Sequence, residues 1–166
     1  DMNDYALVLN AGSSSLKFAI YARQESGAWA LASRGQIEGI GTAPRFSAKD
    51  AAGVILDRQD LGGTVRDAGT ALESVAHWLR ARYGSGRVLG VGHRVVHGGA
   101  KFAGPTIITP PVLQDLRALI PLAPLHQPYN LAAIEAVGER MPDVPQVACF
   151  DTSFHRGQPA VAELIP

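Results

Sequence analysis

Cysteine is almost absent from this sequence, since Cys149 is the single one among 166 residues. One cysteine excludes a disulfide within the chain and a metal site built from several cysteines, and a thiol inside an apolar stretch is usually a core residue. The sequence also has no excess of positive or negative charge, because the formal net charge is zero. Without a basic surplus the chain is not expected to bind nucleic acid or anionic membranes, and its expected ligands are small molecules.

Long apolar runs are missing as well. No stretch approaches the roughly 20 apolar residues that span a bilayer, and the amino-terminal residues lack the pattern of a secretory signal. We therefore predict a cytoplasmic protein. With 46% apolar and 18% charged residues, the chain is expected to form one ordinary globular domain with its own core.

The spacing of apolar residues predicts strands first and then an alternation of helices and strands. Strands are expected at residues 7–9, 16–21, 29–37 and 53–57, the first two forming a hairpin. A period of 3.6 then predicts a helix around residues 72–83, with Thr70 and Glu73 as a capping box and Gly84 as its end. The remaining predictions are a strand at 88–96, helices at 111–119 and 131–141, and a strand at 144–150. This order predicts an α/β fold with a mixed sheet and crossover helices.

A turn rich in small hydrogen-bond donors joins the first two predicted strands in the stretch NAGSSSLKF. Backbone N–H groups of a glycine-containing turn can surround an anion, serine hydroxyls add donors, and Lys17 adds a positive charge. The stretch does not match a Walker loop, because a strand follows it instead of a helix. It predicts a phosphate-binding turn, and an ordinary flexible hairpin turn is the alternative.

The stretch GHRVVHGG is predicted to be a strand, on which alternate side chains share a face. Arg94 and Val96 share one face and suit a short carboxylate, since the guanidinium binds two oxygens while the valine contacts the alkyl group. His93 and His97 share the other face about 13 Å apart, too far to hold one metal ion together. The alternative is an edge strand with solvated polar residues.

Two further segments hold single polar residues in defined surroundings. In PLAPLHQP three prolines restrict the loop around His126, so that its imidazole can donate a hydrogen bond to a phosphoryl group at low entropic cost. In VACFDTSFH the apolar run ends at Asp151, which follows a predicted parallel strand, where α/β sheets bind ligands and an aspartate can organise Mg²⁺ through its waters. The alternatives are a plain surface loop and an aspartate that caps a turn.

These four motifs occur in the order and with the intervals found in the amino-terminal half of acetate kinases. The sequence therefore resembles that family, which belongs to the acetate and sugar kinase/heat-shock chaperone/actin superfamily, over almost its whole length. The resemblance implies one half of an actin-like ATPase, with a five-stranded-type, ribonuclease-H-like mixed sheet. It also implies reversible phosphoryl transfer from Mg-ATP to acetate, which gives acetyl phosphate and ADP, by a cytoplasmic enzyme that is a homodimer at full length.

The resemblance implies roles for single residues, carried over position by position. The residues that resemble the family's phosphate and nucleotide neighbourhood are Asn10, Ser13, Ser15 and Lys17. Arg94 resembles the carboxylate-binding arginine, and Val96 and Leu125 resemble the lining of the methyl pocket. His126 resembles the phosphoryl-stabilising histidine and Asp151 the essential aspartate, and the resemblance places Asn10 and Asp151 near Mg²⁺. Gln127 stands where asparagine is usual in the family.

The resemblance also implies a domain boundary near residue 156. Residues 1–156 are expected to form the acyl-substrate and phosphate-loop domain, and residues 157–166 to begin a nucleotide-binding domain that this chain does not contain. The 166-residue chain alone is therefore expected to be inactive. A propionate kinase, and a non-catalytic fragment or module of the same superfamily, are the alternatives that the sequence leaves open.

Overall fold

The fold is built on one mixed sheet, for which the computed structural model describes residues 3–84, 86–95, 99, 101–102 and 104–150. Within these residues the sheet has eight strands in the order β5-β4-β3-β2-β1-β6-β8-β7. The strands are β1 Asp4–Ala11, β2 Ser15–Arg23, β3 Trp29–Glu38, β4 Arg45–Asp50, β5 Ile55–Asp60, β6 Arg87–Val95, β7 Thr106–Ile107 and β8 Gln146–Phe150, and the α-helices are α1 Ala68–Tyr83, α2 Pro110–Arg117 and α3 Gln127–Arg140.

The middle of this sheet matches the expected five-stranded arrangement. Strands β3, β2 and β1 are antiparallel neighbours, whereas β1, β6 and β8 run parallel to one another. Strands β4, β5 and β7 extend this sheet at its two edges. The expected hairpin is confirmed as β1 and β2. Strand β4 was not predicted, because the charged residues in its sequence RFSAKD hide its short apolar alternation, and β7 has only two residues.

Helices cover one face of the sheet, the helix face, which carries Leu7 and Leu9 of β1. Helix α1 buries Leu72 and Val75 in the same core, and α3 adds Val137. Burying side chains of this size contributes roughly 1.5–3 kcal/mol each. None of the helices described here packs on the opposite face, which we call the cleft face.

Two helix starts differ from their predictions. The amino-terminal cap of α1 is Asp67, whose carboxylate accepts a hydrogen bond from the Thr70 N–H at 2.8 Å, and Thr70 is the third helical residue. The predicted capping box of Thr70 and Glu73 is therefore wrong, because an aspartate outside the apolar pattern begins the helix. Helix α3 begins at Gln127, four residues early, since Pro128 lies in the first turn, where its missing N–H costs no hydrogen bond.

The side chain of Cys149 is buried, as expected for a core thiol. Along the described part of the chain, no helix is both long enough and apolar enough to cross a membrane.

Gly35 allows β3 to pass close to β4 and to the ring of Phe18. A Cβ atom at this position would lie 2.4 Å from the Ser47 backbone oxygen and 2.6 Å from Phe18. We expect Gly35→Ala to lower the free energy of unfolding by about 1–3 kcal/mol through overpacking, measured by urea titration. Gly63→Ala is the matched control, because nothing lies within 4 Å of its Cβ position. Equal stability of the two variants would contradict this account.

Candidate active site

Three of the predicted site residues lie side by side on the cleft face. Asn10 pairs with Lys17 across the β1–β2 hairpin. On its other side β1 pairs with β6, where Leu9 is opposite His93, so that Asn10 is beside Arg94. Asn10, Lys17 and Arg94 line one cavity of about 520 Å³. The strand pairing thus brings an amide, an ammonium and a guanidinium to one surface, although Asn10 and Arg94 are 84 positions apart in the sequence.

The turn of the hairpin contains the two predicted serines. Gly12 donates its N–H to the Ser15 carbonyl at 2.9 Å, which leaves Ser13 and Ser14 as a two-residue turn. The Ser14 carbonyl accepts a hydrogen bond from the Ile40 N–H, also at 2.9 Å, so the turn is fixed to the chain that follows β3. Ser13 is exposed and Ser15 is half-buried. The turn therefore has a defined position at the end of the strands that carry Asn10 and Lys17.

His126 and Leu125 precede the first turn of α3. His126 is the residue before the helix, and its side chain is exposed. Leu125 is 75% exposed, and neither residue lines the cavity of Asn10, Lys17 and Arg94 in this structure. Val96 and Asp151, the other two predicted site residues, lie outside the described residues, as does His97. Strand β8, which Asp151 follows, does run parallel to β6 as predicted.

Two buried amides place the His126 loop, and no motif in the sequence indicates a role for either of them. Gln127 is fully buried, and its Nε2 donates a hydrogen bond to the Leu116 carbonyl at the end of α2. Asn130 donates through Nδ2 to the Ala11 carbonyl at 3.3 Å. Because Ala11 ends β1, this bond holds the start of α3 at the same edge of the sheet as the serine turn. The one feature of the sequence that could have indicated their role is that both amides lie within four residues of His126.

His93 is a structural residue on the helix face of β6. Its Nε2 lies 2.6 Å from Oε1 of Gln146, whose Nε2 donates to the Ile134 carbonyl. Because Oε1 is an acceptor, the imidazole is assigned as the neutral tautomer with the proton on Nε2. Burial lowers the pKa of His93 to about 4, against the opposing effect of the Gln146 hydrogen bond. The imidazole therefore holds β6, β8 and α3 together on the helix face, while Arg94 lies on the cleft face.

The described residues contain no group of three or more histidine, cysteine, aspartate or glutamate side chains that could bind a metal ion. Of the two predicted metal neighbours, the structure describes only Asn10, which offers a neutral amide oxygen. Magnesium binds through few protein ligands and many waters and phosphate oxygens. The Asn10 amide oxygen lies between two cationic side chains, Lys17 and Arg94. These surroundings suit a metal ion that is already bound to phosphate groups better than they suit a free metal ion.

Comparison with known proteins identifies what this chain is similar to. The acetokinase family model matches residues 5–166. Among relatives, the chain is 47% identical to an acetate kinase of Rhodopseudomonas palustris over 163 residues, and 46% identical to an acetate kinase of Rhizobium meliloti over 162 residues. These alignments cover 97% and 93% of this chain but only 40% and 39% of the relatives, so the chain spans about 40% of their length.

Solved structures show the same relation. A propionate kinase from Francisella tularensis matches with a TM-score of 0.77 and 31% identity, over 95% of this chain and 39% of that protein. An acetate kinase from Porphyromonas gingivalis matches with a TM-score of 0.76 and 32% identity, over 94% of this chain and 39% of that protein. Both relatives are built on the fold described above and continue beyond it.

The buried imidazole of His93 predicts a loss of stability in acid. Its pKa of about 4 in the folded chain lies below the ordinary value of 6.5. As the pH falls below about 6.5, the unfolded chain takes up a proton that the folded chain does not, so stability is lost down to about pH 4. We expect this histidine to account for about 2 kcal/mol between pH 7.5 and pH 5.

Urea titrations at several pH values test this effect. The His93→Gln variant should lose less stability than the parent chain between pH 7.5 and pH 5, whatever its absolute stability. His77→Gln is the matched control, because it removes a histidine that is exposed on α1. The same pH dependence in the His93 variant and the parent chain would show that His93 is not the group responsible.

Proposed function

Because this chain belongs to the acetokinase family, we propose that it is the amino-terminal part of an acetate kinase, which transfers a phosphoryl group reversibly from ATP to acetate. The observation that carries the proposal is the shared cavity of Asn10, Lys17 and Arg94 on adjacent strands. Residues 1–156 form the domain that binds the acyl substrate and the phosphates, and residues 157–166 lead into a nucleotide-binding domain. The whole enzyme works in the cytoplasm as a homodimer.

The chemistry of the reaction agrees with the charges of the cavity. A short carboxylate has a pKa between about 4 and 5 and is already ionised at pH 7, so no strong general base is needed. The main obstacle is repulsion between this anion and the phosphate that it attacks. Fixed positive charges that neutralise the developing charge are the usual solution in phosphoryl transfer. Lys17 and Arg94 supply such charges within one cavity.

Each remaining residue has a proposed role. Arg94 binds both carboxylate oxygens of acetate, and Val96 and Leu125 contact its methyl group. His126 donates a hydrogen bond to the phosphoryl group in transfer, and the turn with Ser13 and Ser15 binds phosphate oxygens. Because Leu125 and His126 are exposed here, we propose that they meet the substrate only when the cleft closes.

Magnesium bound with the nucleotide would be held near Asn10 and Asp151. The metal supplies charge neutralisation of the phosphate oxygens when it is bound. Asp151 would then hold the waters of the metal and would not remove a proton from the substrate, because the carboxyl group of acetate is already ionised at pH 7.

Propionate is the alternative substrate, and the structural match to a propionate kinase favours considering it. An additional methylene group is worth only about 1–3 kcal/mol of discrimination in an apolar pocket. The substrate preference therefore depends on the space around the alkyl group and not on Arg94, which serves both carboxylates equally.

The proposal is tested by measuring acyl phosphate, trapped as the hydroxamate, from Mg-ATP with acetate, propionate or butyrate. The 166-residue chain and the whole protein are assayed side by side, after each shows a cooperative thermal transition. We expect turnover from the whole protein alone, with acetate as the best substrate. Turnover by the short chain would show that it contains all essential groups, and a higher kcat/KM for propionate would reassign the substrate. A folded whole protein without any turnover would contradict the proposal.

Replacing Arg94 tests its contact with the carboxylate. Lysine keeps the charge but loses the paired donors of the guanidinium. We expect Arg94→Lys in the whole protein to lower kcat/KM for acetate roughly 10- to 100-fold, the range for hydrogen bonds to a charged group. Arg80→Lys is the control, because Arg80 is exposed on α1 and does not line the cavity. Equal kinetics of the two variants would remove Arg94 from the substrate site.

A further inference from the structure

The cavity of the candidate active site continues beyond it, across β3 and β4. Arg34 of β3 is directly opposite Lys49 of β4, and both side chains line the same cavity as Lys17 and Arg94. Gln36 and Ser47, the next pair along these strands, also line it and add neutral hydrogen-bond donors. None of these four residues belongs to the site proposed for acetate and the transferred phosphate.

The charge of this cavity is one-sided. Its described lining contains Lys17, Arg34, Lys49 and Arg94 and no acidic residue. Glu38 lies on the same face of β3, but it accepts a hydrogen bond from Gln36 and is not part of the lining.

Many basic residues elsewhere in the described chain have an acidic partner. Those in ion pairs are Arg23, Arg45, Arg87, Lys101, Arg117 and Arg140. No ion pair is formed by Lys17, Arg34 or Lys49 within the described residues. Three basic residues without an ion pair among the described residues thus line one cavity, in a chain whose formal net charge is zero. In the same part of the chain no ion pair is formed by Arg58, Arg66, Arg80 or Arg82 either, but these are distributed outside this cavity.

The pairing of Arg34 with Lys49 costs stability. Like charges directly opposite each other on antiparallel strands repel, because their Cβ atoms are only about 4.5–5.5 Å apart. Nothing in the folding of β3 against β4 requires a cation at either position, since both side chains are exposed on the cleft face. A bound anion between the two side chains would turn this repulsion into attraction.

We propose that Arg34 and Lys49 form a second anion subsite, which binds the phosphate group of a small phosphate ester or free phosphate. The guanidinium offers two parallel N–H donors to phosphate oxygens, and the ammonium adds a point charge. Lys17 is the diagonal neighbour of Arg34 across β2 and β3, about 7–8 Å away. The subsite is therefore adjacent to the phosphate-binding turn but separate from it, and its existence does not depend on the proposed kinase activity.

Titration calorimetry of the 166-residue chain with inorganic phosphate and with glycerol phosphate, at constant ionic strength and without magnesium, tests the subsite. We expect Arg34→Gln/Lys49→Gln to weaken phosphate binding at least about tenfold, since two charged contacts are lost. The control Arg66→Gln/Arg80→Gln removes the same charge from exposed positions outside the cavity and should bind within twofold of the parent chain. Tighter binding of glycerol phosphate would identify an ester as the ligand, and tighter binding of phosphate the free anion.

Lys17→Gln separates this subsite from the candidate active site. Anion binding should persist in this variant, because Arg34 and Lys49 remain. The proposal is overturned if no anion binds to the parent chain, if the double variant binds phosphate like the parent, or if Lys17→Gln alone abolishes binding.

A second measurement needs no ligand. In phosphate-free buffer of low ionic strength, Arg34→Gln should raise the thermal midpoint, because it removes the like-charged pair. An unchanged or lower midpoint would contradict the repulsion on which the argument for an anion depends.

Discussion

The pairing of β1 with β2 on one side and β6 on the other is the constraint on which the rest of the structure depends. One pairing is antiparallel and local, and the other is parallel and joins residues more than 80 positions apart. Together they fix which alternate side chains of three strands share a face. The same pairing that puts Leu7, Leu9 and Val91 into the core beneath the helices puts Asn10, Lys17 and Arg94 on the opposite face. Core packing and site geometry are thus two results of a single register.

Buried polar side chains connect the helices to this frame. Gln127 binds the end of α2, Asn130 binds the end of β1, and Gln146 joins His93 to α3. Apolar packing is tolerant of small shifts, whereas a hydrogen bond to a backbone carbonyl fixes distance and direction. These amides therefore determine where the loop with His126 begins relative to the serine turn, although none of them belongs to the cavity.

The sequence allowed the hairpin, the parallel strands and the three helices to be predicted, because each has a clear apolar period or a strong turn. The helix starts were less predictable, since a cap such as Asp67 lies outside the apolar pattern and a proline such as Pro128 is as typical of a loop as of a first helical turn. The motif resemblance indicated Asn10, Lys17 and Arg94 as site residues, but it did not indicate that all three line one cavity. It depends on strand pairings between distant segments, which no local pattern specifies.

Arg34 and Lys49 illustrate the same limit. Each is an ordinary charged residue in its own segment, and Lys49 lies in a strand that the apolar pattern did not indicate. Their importance arises only when β3 and β4 pair and bring them face to face on the side of the sheet that also carries Lys17. The opposition of two like charges depends on which positions of two strands pair, and one sequence alone does not specify that pairing.

The two-residue turn between β1 and β2 has a consequence for how this protein can change over evolutionary time. Side chains on a strand alternate between faces, so a shift of one residue in the pairing exchanges the two faces completely. An insertion of one residue in this turn, absorbed by sliding β2, would direct Lys17 into the core and Phe18 towards the cleft. Surface loops elsewhere can vary in length with little effect. The length of this turn, in contrast, determines which side chains of β2 enter the hydrophobic core and which face the charged site, so it can change only if both change with it.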